Sequence, residues 1–144
     1  MIRILCAVSA LALGATAVLA QSSAIKERQD IMENISKDGK VLKAMSKGEA
    51  PFDASKSSAL LGSWDARIKK YVTLFPDDSK TGGKTRAKAE IWQNKADFEA
   101  KASDFLKALA DTKAATSAEA FKTAYDALDK GCDNCHEKYR APKT

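Results

Sequence analysis

Ser117-Ala118-Glu119-Ala120-Phe121-Lys122-Thr123-Ala124-Tyr125-Asp126-Ala127-Leu128-Asp129-Lys130-Gly131-Cys132-Asp133-Asn134-Cys135-His136-Glu137-Lys138-Tyr139 lies near the end of the 144-residue chain and decides its fold class. Phe121, Ala124, Tyr125, Leu128, Cys132, Cys135 and Tyr139 recur at steps of three and four, the stripe of an amphipathic helix. Thr116 to Glu119 has capping-box spacing and opens that helix. Positions i, i+3 and i+4 share one helical face, so Cys132, Cys135 and His136 present together to one partner. Cys-x-x-Cys-His is the attachment signature of c-type haem. The spacing follows from the chemistry. Two thiols add across the two vinyl groups of a porphyrin to make thioethers, and the next side chain supplies an imidazole to the iron.

Other uses of the motif fit less well. A zinc site takes four nitrogen or sulfur ligands, yet His136 is the only histidine and the third cysteine, Cys6, lies far away near the N-terminus. A thioredoxin-like motif belongs beside a strand-helix-strand pattern, and no segment here alternates with period two. A disulfide across two intervening residues closes too small a loop to constrain much.

Working outward from that helix, three further segments carry helical periodicity. The first runs from about Ser23 to Lys47 with Ile25, Met32, Ile35, Leu42 and Met45 on one stripe, and Gly48 and Pro51 break it. The second starts at an Asp53 N-cap, carries Leu60, Trp64, Ile68, Tyr71 and Phe75, and stops at Pro76. Asp77 to Lys84, with Gly82-Gly83, forms the longest loop. The third runs from about Ala87 to Thr112 and lines up Ile91, Trp92, Phe98, Ala102, Phe105 and Leu109. Four long amphipathic helices with short links predict an all-α, antiparallel up-down-up-down four-helix bundle around covalently bound haem c. Trp64, Trp92, Phe98, Phe105 and Phe121 read as bundle core.

Residues 1–20 read as a secretory signal peptide: Arg3 gives the basic start, Ile4 to Val18 is mostly apolar, and Val18-Leu19-Ala20 offers a cleavage site before Gln21. Cys6 would be lost with it. The stretch is short for a membrane span, and residues 21–144 suffice for one compact domain. The expected location is the periplasm. A net charge of +5 spread over a lysine-rich surface is no nucleic-acid footprint and at most biases the domain toward acidic partners.

Taken together, these features resemble the class II cytochromes c, the cytochrome c′ family. The resemblance runs through Arg28-Gln29-Asp30-Ile31-Met32, Lys47-Gly48-Glu49, Leu74-Phe75-Pro76, Ile91-Trp92, the haem motif and Tyr139-Arg140, in that order. It implies that Cys132 and Cys135 hold the haem, that His136 is the proximal iron ligand, that Arg28 pairs with a haem propionate, and that Met32 faces the open side of the iron. One branch of that family is low-spin, with a first-helix methionine bound to iron; the other is high-spin and five-coordinate.

Lys47 to Asp53 and Leu74 to Asp77 look more like the low-spin branch. On that likeness the expected function is a periplasmic carrier of single electrons with Met32 as distal ligand, since a His/Met pair raises the reduction potential. The alternative is a five-coordinate haem protein that binds NO or CO at a vacant distal site. A lone histidine leaves no nucleophile-base pair, so enzyme activity is not expected. Lys130, Lys138, Arg140 and Lys143 would form a basic rim for an acidic redox partner. The polar run at Lys37, Asp38, Lys40 and Lys43 favours a monomer over a homodimer.

Overall fold

A computed structural model describes residues 11–143, with side chains from Ser23 onward; residues 1–10 of the expected signal peptide lie outside the described residues. Helix α1 spans Leu11–Ser46, α2 Ala54–Tyr71, α3 Glu90–Gln93, α4 Lys95–Lys113 and α5 Ala118–Tyr139, with a single 3-10 turn at Asp77–Ser79. No strand occurs among the described residues, only an isolated bridge between Ala87 and Arg140. The four long helices pack as a bundle in which α5 runs against α4 and α1, and α2 against α1 and α4.

Local chemistry explains most of the boundaries. Gly48, at φ 73°, enters the left-handed region open to glycine, and the chain turns so that the N–H groups of Glu49 and Ala50 both bond to Ala44 O, at 2.9 and 3.1 Å. The Asp53 carboxylate caps α2 by accepting from Lys56 N at 2.9 Å. Ser117, not Thr116, caps α5, accepting from Ala120 N at 3.2 Å. The cap therefore sits one residue inside the expected capping box. Helix α2 ends at Tyr71 rather than running to Pro76, since Thr73 and Leu74 already bond back in tighter i→i−3 steps to Lys70 O and Tyr71 O.

The third helix is not continuous from Ala87, which corrects the sequence expectation. Backbone at 86–88 instead pairs with the last residue of α5 and the segment that follows it: Lys88 N donates to Tyr139 O at 3.0 Å and Ala141 N to Arg86 O at 2.8 Å. Helical periodicity then resumes in α3 and breaks again at Asn94 (φ −137°, ψ 59°), whose N–H closes α3 on Glu90 O and whose carbonyl accepts from Phe98 N to open α4.

Two apolar clusters hold the bundle. The larger joins Ile35, Leu42, Leu61, Trp64, Leu109, Phe121 and Leu128, with Cys132 packed against it. The smaller joins Phe75, Ile91, Phe98 and Tyr139, with Tyr71, Trp92 and Cys135 at its edge. The two cysteines of the motif thus sit on the seam between the clusters. Trp64, Phe98, Phe105 and Phe121 are buried as expected. Trp92 is only half-buried, because its Nε1 donates outward to the carbonyls of Phe75 and Pro76, both at 3.1 Å. Asp38 is not part of a free polar face: it is half-buried and accepts from Trp64 Nε1 at 3.1 Å and from Arg67, which ties α1 to α2.

Candidate haem site

On α5, Cys132, Cys135 and His136 fall on the inner face, all three half-buried. Both thiols are free. Cavities converge on His136 from three sides. An apolar one is bounded by Met32 and Ile35 of α1, Ile68 of α2, Phe105 of α4, and both cysteines. A second, about 290 Å³, opens between α1 and α5 past Met32, Lys43, Trp64, Asp129 and Cys132. The third, smaller than the second and more polar than the first, lies on the Arg86 and Arg140 side of Cys135.

The electrostatics of these groups suit the chemistry. Burial, reinforced by the charges of Arg140 and Arg86 against an opposing Asp133, lowers the His136 pKa to about 4. The imidazole is therefore neutral at pH 7 with a lone pair to give to iron. Burial beside Asp129 and Asp133 pushes the Cys132 thiol up to about 12. Burial also raises Cys135, while Lys101 and Arg140 pull it the other way. Both groups are therefore held as thiols at pH 7. Two thiols and a neutral imidazole on one side of a hydrocarbon-walled cavity fit haem c. Cys132 and Cys135 would hold it and His136 would ligate the iron. Among the described residues, no group of three His, Cys, Asp or Glu side chains gathers to hold a bare metal ion, so the zinc alternative lacks a ligand set there.

The depressed His136 pKa has a direct consequence for the haem-free chain. Between pH 6.5 and 4 the unfolded state binds the proton more readily, so stability falls as pH falls through that window and levels off below it. Urea midpoints of haem-free wild type and His136→Asn should diverge in slope over that window and run parallel above about pH 7.

Met32 lines the two cavities on the α1 side of His136. Arg28 does not line any of the three cavities. Its guanidinium, 4% exposed, donates to Ser79 Oγ at 3.3 Å, Ser79 O at 3.1 Å and Thr85 Oγ1 at 3.5 Å. It also stacks 4.5 Å from the Phe75 ring centroid. Burial lowers its pKa, and these contacts are what keep the cation in place. Arg28 pins the 77–85 loop onto α1. Sequence reasoning passed over Arg86, which carries no periodic or motif signal, and read Tyr71 only as core although its hydroxyl is a polar tip on an apolar stripe. The expected basic rim is also reduced, because Lys138 is paired to Asp97 at 2.8 Å, a carboxylate that also accepts from Tyr139. Lys130, Arg140 and Lys143 stay exposed.

The family model described as Cytochrome C′ matches residues 23–140. The chain belongs to the cytochrome c′ family. Cytochrome c-556 of Rhodopseudomonas palustris is 33% identical, over 97% of each chain. Cytochrome c′ of the same organism is 35% identical over 92% of this chain and 91% of its own. The solved structure of cytochrome c′ from that organism superposes with a TM-score of 0.79 at 32% identity, covering 84% of this chain and 98% of that one. Covalent haem c is thereby part of this chain's identity as well as of its motif. Among the described residues, no helix is long and apolar enough to cross a membrane.

Proposed function

We propose that this chain is a periplasmic haem c protein whose iron is bound by His136 alone and takes up NO or CO on the face covered by Met32. The supporting observation is the α1 side of the haem cavity. Met32 and Ile35 reach it, and they offer a thioether and a hydrocarbon where a second strong nitrogen base would block the iron. Polarity and access on the distal side decide between ligand uptake and electron transfer, and an apolar wall favours small uncharged gases. The likeness to proteins named cytochrome c′ supports the same reading, because the five-coordinate members carry that name. Export is supported by the signal-peptide pattern of residues 1–20.

The electron-carrier reading keeps a specific support: Met32 lines both cavities that His136 also lines on the α1 side, so its sulfur is available as a sixth ligand. In that case an acidic redox partner would dock near Lys130, Arg140 and Lys143. The dithionite-reduced spectrum under CO separates the two. A high-spin spectrum that CO converts fully within mixing time supports gas uptake. A low-spin spectrum indifferent to CO would establish Met32 ligation and overturn it. Met32→Ala should speed CO uptake by roughly tenfold or more in the first case, since steric access on the distal side governs ligand entry. Of the two α1 apolar side chains lining both cavities, Met32 and Ile35, methionine is the longer and more mobile cover.

A further inference from the structure

His136 stands in the last turn of α5, which ends at Tyr139. The final turn of a helix frays most readily, because its carbonyls lack partners further along the helix. Fraying here would carry the imidazole away from where α5 presents it. This turn is instead held from outside. The Arg140 N–H donates to His136 O at 3.0 Å and closes the helix, and the Lys88 N–H donates to Tyr139 O at 3.0 Å. Arg86 then grips the next residues: its carbonyl accepts from Ala141 N at 2.8 Å, and its Nε donates to Ala141 O at 2.8 Å.

Tyr139 adds a tie through its side chain. It follows His136 by three residues, so the two share a helical face. Its ring is buried and meets Phe98 of α4 edge-on, with centroids 5.3 Å apart. Its hydroxyl donates to the Asp97 carboxylate in the first turn of α4, and Lys138 donates to the same oxygen at 2.8 Å. The Lys138 ammonium and the Tyr139 hydroxyl hold the Asp97 carboxyl below the usual range, so Tyr139 meets an ionised, and therefore stronger, acceptor. The exposed Lys138 ion pair contributes little by itself. From this placement we propose that Asp97 and Tyr139 are positioning residues for His136: they keep the last turn of α5 wound and so hold the imidazole at the iron. Either occupant of the sixth site leaves this role unchanged.

The test reads the iron–His136 stretching band in resonance Raman spectra of the dithionite-reduced holoprotein. That band requires five-coordinate iron. If wild type is low-spin, which would overturn gas uptake but not this role, each variant is made on Met32→Ala to free the sixth position. Tyr139→Phe removes the hydroxyl and keeps the ring packing, and Asp97→Ala removes the acceptor. Both should move the band to lower frequency and broaden it. Asp97→Asn keeps an oxygen that can accept from Tyr139 and should bring the band back toward wild type. Lys138→Met cuts only the exposed ion pair and should leave the band in place. Tyr139→Phe decides the matter alone if the Asp97 variants fail to mature. A tie that serves stability only would lower the melting temperature of Tyr139→Phe and leave its band unmoved. That result, or a band displaced equally by Lys138→Met, overturns the proposal.

Discussion

Replacing Cys132 and Cys135 together by serine is expected to yield a protein from which acidified acetone extracts all the haem. Each single replacement should leave one thioether, with haem still bound on a denaturing gel and a pyridine haemochrome band displaced toward that of a porphyrin with one free vinyl group. The reason lies in how α5 presents these groups. Cys132 packs on the larger core cluster and Cys135 on the smaller, so each thiol is fixed by a different set of neighbours and neither can substitute for the other. Haem staining that persists undiminished after extraction of the double variant would mean that attachment occurs elsewhere.

The second large effect is on stability. Phe75 is 2% exposed and makes edge-on ring contacts with Tyr71 at 5.2 Å, Trp92 at 5.5 Å and Phe98 at 4.9 Å. Truncating a buried phenylalanine costs about 3–5 kcal/mol in lost transfer energy and residual cavity. Phe75→Ala also strips the buried Arg28 guanidinium of the ring it lies over, which places the expected loss at the upper end of that range. For a domain of this size the melting temperature should drop on the order of 10–20 °C, read from helical circular dichroism. Haem should remain covalently attached, since Phe75 does not line the cavities around His136. A drop of only a degree or two would show that the second cluster carries little of the stability.

Helix periodicity placed α2, α4 and α5 and the inner face of α5 because each of these signals is local. A stripe at three and four, with an Asp ahead of α2, needs no knowledge of the rest of the chain. The break at the start of the third helix could not be seen that way. Residues 86–88 leave the helical pattern because backbone more than fifty residues further on offers them better partners, and periodicity does not report long-range pairing. The same holds for side chains with a choice. Asp38 sits in a polar run, yet Trp64 and Arg67 draw it inward. Arg28 is one turn from Met32 on the same helix and still turns to the Ser79 loop. The haem motif was legible because three functional groups lie within five residues. The residues facing it from other elements, Tyr71 and Arg86 among them, come together only through the tertiary fold.

Gas uptake and electron transfer both require one haem iron at one place: bonded to His136, with Met32 on the opposite side. Anomalous diffraction at the iron absorption edge from a crystal of the purified holoprotein tests this directly. The expected result is a single strong peak per chain, within bonding distance of a His136 ring nitrogen and inside the cavity lined by Met32, Cys132 and Cys135. An iron peak elsewhere on the chain, or none in a crystal whose protein is fully loaded, would contradict it.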